Sequence, residues 1–200
     1  MKAIPLLPVT LAITGASGAR YGLRLLERLL GQGRSVDLLL SDAGRVVIAQ
    51  ECGLTLTGDG QQVARAIGAY CATLPEAAID ALTHHALRDW DAPMASGSRG
   101  ARAMVICPCS MGTLAAVAGG LSDNLIERAA DVALKERWPL ILVPRETPLS
   151  VIHLENMLRL ARSGAVILPA APGFYQGAST LDHLIDFLVE RILDRLAGGF

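Results

Sequence analysis

The sequence has few charged residues for its length. Only 18% of its 200 residues are Asp, Glu, Lys or Arg, and 52% are hydrophobic. Soluble domains average about 25% charged residues. A monomer of this size needs more polar surface than this composition offers, so the apolar excess indicates either membrane contact or large subunit interfaces.

Long uncharged apolar runs are absent. No stretch reaches the ~18 residues that a membrane-spanning helix needs, which excludes such a helix. The apolar N-terminus is interrupted by Pro5 and Pro8 and leads directly into a glycine-rich turn. No signal peptide is therefore expected, and we expect a homo-oligomer in the cytoplasm.

The chain also lacks an excess of charge and any regular cysteine or histidine motif. A formal net charge of −1 argues against a nucleic-acid-binding surface. The cysteines form no CxxC pair, so they are expected to be reduced and mostly buried. They are Cys52, Cys71, Cys107 and Cys109. The histidines have no metal-ligand spacing with carboxylates, so no metal site is expected; they are His84, His85, His153 and His183.

Apolar strand-like runs alternate with helical patterns along the chain. This alternation predicts one α/β domain over residues 1–200, a mainly parallel sheet with helices on both faces. Strands are predicted at 10–13, 36–40, 104–107, 140–143 and 166–168. Helices are predicted at 19–30, 43–51, 61–71, 75–82, 110–118, 124–135, 150–162 and 181–196, with a loop at 91–100.

Two glycine- and serine-containing turns follow predicted strands. Thr14–Ala19 opens the first helix, where the backbone can approach a ligand and the helix N-terminus favours an anion. The dinucleotide pattern GxGxxG is not met, and Ser41 rather than an acid ends the second strand. Cys107–Thr113 repeats the arrangement after a third strand. Each turn alone is also compatible with an ordinary strand–helix turn or a serine N-cap, but the two together favour a bound mononucleotide.

The segment Asn124–Glu146 combines a charged helix ridge with a buried strand. Asn124, Arg128, Asp131 and Lys135 have the spacing of a single helix face. The following strand delivers Arg145 and Glu146 to its carboxyl end, where open α/β sheets bind ligands. A solvated helix face with a salt bridge is the alternative interpretation.

The C-terminal third contains two further candidates. The proline- and glycine-rich loop 169–175 ends at Tyr175, one of only three tyrosines, which favours a site residue over a core residue. Arg191 lies on the last helix among apolar neighbours and could equally be a salt-bridge partner.

Together these segments resemble the UbiX-type flavin prenyltransferases. The resemblance follows the same order over nearly the whole chain and rests on GASGARYGLRLL, ASGS, CPCSMGTLAAVAGG, DNLIERAADVALKERWPLILVPRETPLS and HLENMLRLARSGAVILPAAPGFY. It implies a Rossmann-like or flavodoxin-like fold, assembled as a homododecamer of trimers. It further implies that reduced FMN and dimethylallyl monophosphate give prenylated FMN and phosphate without a metal. A partner decarboxylase of the UbiD type would use the product.

The resemblance also implies roles for individual residues. The flavin would be held by Gly15, Ala16 and Ser17, with Ser17 near its N5 atom, and by Ser41, Ser110, Met111, Gly112, Thr113 and Arg145. The prenyl phosphate would be held by Ser96, Arg128, Lys135, Tyr175 and Arg191. Glu51 and Glu146 would be acid/base carboxylates, with Ser17 and Lys135 also catalytic. Fixed cations suit this chemistry, because breaking the allylic C–O bond builds negative charge on the phosphate. We expect the site to straddle subunits.

Two other functions compete with this one. A flavin-dependent cysteine decarboxylase would carry PASANT where this chain has Pro108–Thr113, and a PxMNxxMW-like segment that is not found here. A non-catalytic FMN-binding subunit would have no need for the phosphate-binding set. The sequence leaves open the choice between monophosphate and diphosphate, and between ubiquinone synthesis and aromatic-acid breakdown.

The last helix offers no clear lid residue. Members of the resembled family often carry a tryptophan in a tail beyond this helix, whereas Trp90 and Trp138 lie elsewhere in this chain. Phe200 is too close to the helix end to take that role, so no C-terminal lid is assigned.

Overall fold

The computed structural model describes residues 7–71, 73–100, 102–175 and 177–198; Phe200 lies outside them. The strands are β1 Val9–Ile13, β2 Val36–Leu40, β3 Leu82–His85, β4 Ala103–Cys109, β5 Leu140–Pro144 and β6 Val166–Ile167. The helices are α1 Ala19–Gly31, α2 Asp42–Cys52, α3 Gly60–Tyr70, α4 Glu76–Ile79, α5 Met111–Gly119, α6 Leu125–Lys135, α7 Val151–Arg162 and α8 Leu181–Ala197. Two short 3₁₀ turns, Pro93–Ala95 and Gly97–Arg99, lie in the loop before β4.

All strands of the described sheet are parallel, in the order β3-β2-β1-β4-β5-β6. This is the doubly wound Rossmann order, in which the chain reverses its direction of travel between β1 and β4. The predicted parallel α/β sheet is confirmed, and the sequence-based boundaries of most elements are correct within two residues. The central strands are buried on both faces because helices cover both.

Two apolar cores lie on opposite faces of the sheet. On one face α1, α3 and α8 pack against the alternate strand residues Leu11, Leu38 and Val105. On the other face α5, α6 and the Pro93–Ala95 turn pack against Met104 and Leu142. The alternation of side chains along each strand produces this division. As a result α6 and α8, which carry different parts of the predicted site, lie on opposite faces.

The sequence-based assignment was wrong between Pro75 and the end of β3. The predicted helix 75–82 is a single turn, Glu76–Ile79, and Leu82 begins an edge strand. Only Leu82 of that strand is buried, so it lacks the apolar run that marks the central strands. Its pairing with β2 is a tertiary contact that local sequence does not encode.

Strand β4 was also predicted too short. It continues through Pro108 to Cys109, and its register with β5 shifts between Ile106 and Cys109. Such an irregularity accommodates a proline, which has no N–H for the ladder. No helix of the described residues is long and apolar enough to cross a membrane, and the same residues contain no cluster of three His, Cys, Asp or Glu suited to a metal ion.

Candidate functional site

The loops after β1 and β4 meet at the reversal point of the sheet. In open α/β sheets this crevice, at the carboxyl ends of the strands, is the usual ligand site. The buried Thr14 joins the two loops: its hydroxyl donates to the carbonyl oxygen of Pro108 at 2.9 Å and accepts from the Ser110 N–H at 2.8 Å. Sequence reasoning gave Thr14 no role of its own, since its partners are more than 90 residues away.

The Gly15–Ser17 turn has a packing role as well as a predicted ligand role. A Cβ atom on Gly15 would lie 2.5 Å from the Cβ of Ala43, so a larger residue would displace the start of α2. The side chain of Ala16 is buried, which leaves its backbone as the part that can face a ligand. Ser17 is exposed and therefore free to contact a ligand with its hydroxyl group.

Glu51 takes a position that the sequence did not predict. Its carboxylate accepts hydrogen bonds from the N–H groups of Gly18 at 2.9 Å and Ala19 at 2.8 Å. Gly18 is the N-cap of α1 and offers no side chain, so Glu51 caps this helix from the end of α2. Negative charge at a helix N-terminus is favourable. A ligand anion at α1, as the sequence suggested, would have to displace this carboxylate.

Ser41 and Ser110 both act as helix N-caps. Ser41 Oγ accepts from the Gly44 N–H at 3.0 Å at the start of α2. Ser110 Oγ accepts from the Thr113 N–H at 3.3 Å and donates to Thr113 Oγ1 at 3.0 Å at the start of α5. The N-cap interpretation of Ser110 is thus confirmed, and the cap at Ser41 is one that was not predicted from the sequence; both roles are compatible with ligand binding.

The N-terminus of α5 remains accessible to an anion. A Cβ atom on Gly112 would meet no heavy atom within 4 Å, so the helix start faces open space. The side chain of Met111 is buried in the core, which limits its predicted cofactor contact to the backbone. Backbone N–H groups at such a start, with the helix dipole, suit a phosphate.

Arg145 and Glu146 differ in their surroundings although they are adjacent. Arg145 Nε donates to the carbonyl oxygen of Ser17 at 3.1 Å, which brings the end of β5 to the turn after β1. Glu146 is exposed and accepts only from the N–H of its neighbour Thr147, at 3.0 Å, among the contacts of the described residues. Arg145 therefore lies at the carboxyl end of β5, as predicted, and contacts the turn after β1.

Three of the predicted phosphate ligands lie on α6 and in the loop before β4, and the two segments contact each other. Arg128 Nε donates to the Ala95 carbonyl oxygen at 3.0 Å, next to Ser96. Lys135 Nζ is paired with Glu136 at 2.5 Å, and a Cβ atom on Gly97 would lie 2.1 Å from Glu136 Oε1. We name this set, Ser96, Arg128 and Lys135, the α6 cluster.

Asn124, the first residue of the predicted ridge, has a structural role. Asn124 is the N-cap of α6, and its side-chain oxygen accepts from the N–H groups of Ile126 and Glu127 at 3.0 and 3.2 Å. Its amide nitrogen donates to Glu127 Oε1 at 2.7 Å. Since both ends of the side-chain amide are engaged, Asn124 is not part of the α6 cluster.

Tyr175 and Arg191 lie together, but away from the α6 cluster. Both line a cleft of about 470 Å³ beside α8. Tyr175 is 81% exposed, and its ring packs edge-to-face on that of Phe187 with 5.8 Å between the ring centroids. The Arg191 guanidinium lies 3.6 Å from the Asp194 carboxylate. The same cleft contains Asp186, whose pKa is held below its usual range by the Arg24 guanidinium. One chain therefore presents the five predicted phosphate ligands as two groups.

The cysteines are unsuited to act as catalytic nucleophiles. All four are free thiols, and three of them are buried, as the sequence predicted. Burial raises the pKa of Cys71 to about 11 and that of Cys107 and Cys109 well above the usual range for thiols. Thiols in such surroundings are poor nucleophiles.

Comparisons with known proteins identify the family of the chain. A family model described as Flavoprotein matches residues 3–193. The flavin prenyltransferase UbiX of Pseudomonas aeruginosa is 55% identical over 188 residues, covering 94% of this chain and 88% of that protein. The structure of AnUbiX (PadA1) in complex with FMN and dimethylallyl pyrophosphate is 40% identical with a TM-score of 0.80, covering 95% of this chain and 92% of that chain.

A second solved structure adds information on assembly. The dodecameric FMN-dependent UbiX-like decarboxylase from Escherichia coli O157:H7 is 38% identical with a TM-score of 0.79, covering 94% of this chain and 92% of that chain. The matches extend over nearly the full length of the chain and include both turns and the α6 cluster. The chain therefore belongs to the Flavoprotein family and, within it, to the UbiX proteins.

Proposed function

We propose that this chain is a flavin prenyltransferase, which joins reduced FMN and dimethylallyl monophosphate to give prenylated FMN and phosphate. The observation that carries the proposal is the α6 cluster: Arg128 contacts the carbonyl oxygen of Ala95, next to Ser96, and Lys135 lies on the same helix, in the domain that carries the two nucleotide-type turns. A plain flavin-binding subunit needs the turns but not these cations. The 55% identical relative bears the name flavin prenyltransferase, which supports the same activity.

The residues at the reversal point fit FMN. The open N-terminus of α5 at Gly112 suits its phosphate, and the exposed Ser17 with Arg145 suits the polar edge of its ring system. When bound and reduced, FMN supplies the electron-rich N5 and C6 positions that receive the prenyl group. The turns of this chain would hold that ring, and holding two reactants in register contributes a large share of catalysis.

The α6 cluster acts on the leaving group. Arg128 and Lys135 stabilise the negative charge that grows on the phosphate as the allylic C–O bond breaks, and the Ser96 hydroxyl adds a neutral donor. Of the two predicted carboxylates, Glu146 is the one available for proton transfer. Glu51 is occupied at the start of α1, where it holds the turn that contains Ser17.

The active assembly is a homododecamer in which a second copy completes the phosphate site. Tyr175 and Arg191 lie on the face of the sheet opposite to the α6 cluster, so a neighbouring copy is the source of these ligands. Helix α7 exposes Val151, Ile152 and Leu158, which suits a subunit interface. The dodecameric relative supports this assembly.

The product passes to a partner decarboxylase of the UbiD type, and the enzyme works in the cytoplasm. The UbiX name of the relatives supports the first assignment. The four free thiols support the second, because cysteines stay reduced in that compartment.

An anaerobic assay tests the activity. Reduced FMN and dimethylallyl monophosphate are incubated with the protein, and the mass of the flavin is read. A flavin enlarged by one prenyl group is the expected result. Bound FMN of unchanged mass would instead identify a non-catalytic FMN-binding subunit.

Mixing inactive variants tests the shared site. Arg128→Ala and Arg191→Ala subunits should each turn over slowly alone, and mixed oligomers should regain activity because some sites combine two intact halves. A monomer with full activity in dilute solution contradicts the shared site.

A further inference from the structure

We infer that Asp131 is a positioning residue for the prenyl-phosphate site, acting through Arg128; this rests on the function proposed above. Asp131 lies one helix turn after Arg128 on α6, and its Oδ2 atom accepts a hydrogen bond from Arg128 Nη1 at 3.0 Å. Asp131 is a member of the predicted ridge, but it is not among the predicted phosphate ligands or acid/base carboxylates.

The Arg128 guanidinium is held at two separate atoms. Nε donates to the carbonyl oxygen of Ala95 and Nη1 donates to Asp131, each at 3.0 Å. A guanidinium has five N–H donors in a rigid plane, so two contacts at different nitrogens fix both the position and the orientation of that plane. Among the described residues, no protein group accepts a hydrogen bond from Nη2.

The exposure of the pair is suited to positioning rather than to stability. The side chains of Arg128 and Asp131 are 34% and 38% exposed, so a ligand can reach the guanidinium. Surface ion pairs of this kind add little to folding stability. Their effect on orientation matters more, since the remaining donors must already point at the phosphate when charge develops on it.

The remaining predicted phosphate arginine has a similar but looser arrangement. Arg191 is paired with Asp194, also three residues later on its helix, at 3.6 Å. Lys135, by contrast, is paired with the adjacent Glu136. Arg128 and Arg191 thus each have a carboxylate one helix turn later. The pair on α6 is the tighter one, and its arginine has a second contact at the Ala95 carbonyl oxygen.

The test compares Asp131→Ala with Asp131→Asn and repeats both in an Arg128→Ala background. Asp131→Ala should lower kcat and kcat/KM for dimethylallyl monophosphate together, by about 10-fold, because an interaction used in the transition state loses its alignment. FMN affinity and Tm should stay unchanged. Asp131→Asn should recover much of the rate, since an amide oxygen still accepts from Nη1.

The double variant decides whether Asp131 acts through Arg128. In the Arg128→Ala background, Asp131→Ala should cause no further loss, because the group that it aligns is gone. A loss that persists in that background overturns the inference, as does a normal or faster rate for Asp131→Ala in the wild-type background. Asp182→Ala serves as the matched control. It breaks another surface ion pair, which joins Asp182 on α8 to Arg20 on α1 at 2.7 Å.

The same series separates this inference from the proposed function. Full turnover by Arg128→Ala would contradict the phosphate site itself. Impaired turnover by Arg128→Ala, together with normal turnover by Asp131→Ala, would overturn only the role of Asp131.

Discussion

Arg145 Nε donates a 3.1 Å hydrogen bond to the carbonyl oxygen of Ser17, across 128 positions of the sequence. The contact ties the carboxyl end of β5 to the turn after β1 and so fixes one edge of the crevice at the reversal point. Replacing Arg145 with Ala should raise the Kd for FMN about 10-fold or more, because hydrogen bonds to charged groups contribute about 1.5–3 kcal/mol. Fluorescence titration measures the Kd, and an unchanged value would exclude Arg145 from the flavin site.

Ser17 offers a test of the turn itself. Since its side chain is exposed, Ser17→Leu should leave Tm unchanged while a bulky group obstructs the place predicted for the flavin N5. Weaker FMN binding or loss of prenylation is expected. Ser35→Leu is the control, because Ser35 is an exposed serine just before β2, at the opposite edge of the sheet. Normal copurification of flavin with normal turnover would show that the turn is assigned wrongly.

Lys135 and Arg128 should affect chemistry more than flavin binding. Lys135→Ala should cut the prenylation rate of the FMN-loaded protein by ~30- to 1,000-fold, or about 2–4 kcal/mol, if it stabilises the departing phosphate. Arg128→Ala should behave alike. The double variant should lose less than the sum, because both cations serve one leaving group. Stopped-flow measurements on flavin-loaded variants check this; wild-type rates would support a solvated ridge instead.

Thr14→Val should destabilise the protein by breaking the link between the loops after β1 and β4. The substitution keeps the shape of the side chain but leaves the Ser110 N–H without its acceptor. We expect a loss of about 1–3 kcal/mol in the free energy of unfolding. Urea denaturation measures it, and Thr14→Ser, which retains the hydroxyl, should remain close to wild type. Equal stability of the valine and serine variants would contradict the bridging role.

The adjacent histidines of β3 should give opposite pH dependences. Burial and then the charges of Arg45 and His85 lower the pKa of His84 to about 4, and Arg45 Nη2 donates to its Nε2 at 2.9 Å. Because this pKa lies below the unfolded value of about 6.5, the contribution of neutral His84 to stability is complete above that pH. It is lost as the pH falls towards 4. His84→Gln should flatten the stability profile in that window.

His85 provides the internal comparison. Hydrogen bonding to Asp37 raises its pKa, so its contribution is complete below pH about 6.5 and is lost as the pH rises through the raised value. His85→Gln should therefore change the profile above that pH. Urea titrations across the pH range give the free energy of unfolding of each variant. Identical pH profiles for His84→Gln and His85→Gln would contradict the opposite pKa shifts of the two histidines.

The sequence alone was sufficient for features that depend on local pattern. The run Val36–Leu40, apolar except for Asp37, and the apolar run Leu140–Val143 predicted strands, and Ser41, Ser110 and Ser150 are the N-caps of α2, α5 and α7. Both features depend only on neighbouring residues. A short apolar run favours a buried strand, and a serine just before a helical segment favours an N-cap.

Only the tertiary structure decided which polar groups meet. Glu51 caps α1 from the end of α2, Thr14 bridges two loops, and Leu82–His85 becomes a strand because β2 offers a free edge. The separation of Arg191 from Arg128 likewise follows from the opposite faces taken by α8 and α6. Local periodicity indicates helix or strand for the strongly patterned segments, whereas an edge strand such as Leu82–His85 and the partner of a polar side chain depend on contacts between residues far apart in the sequence.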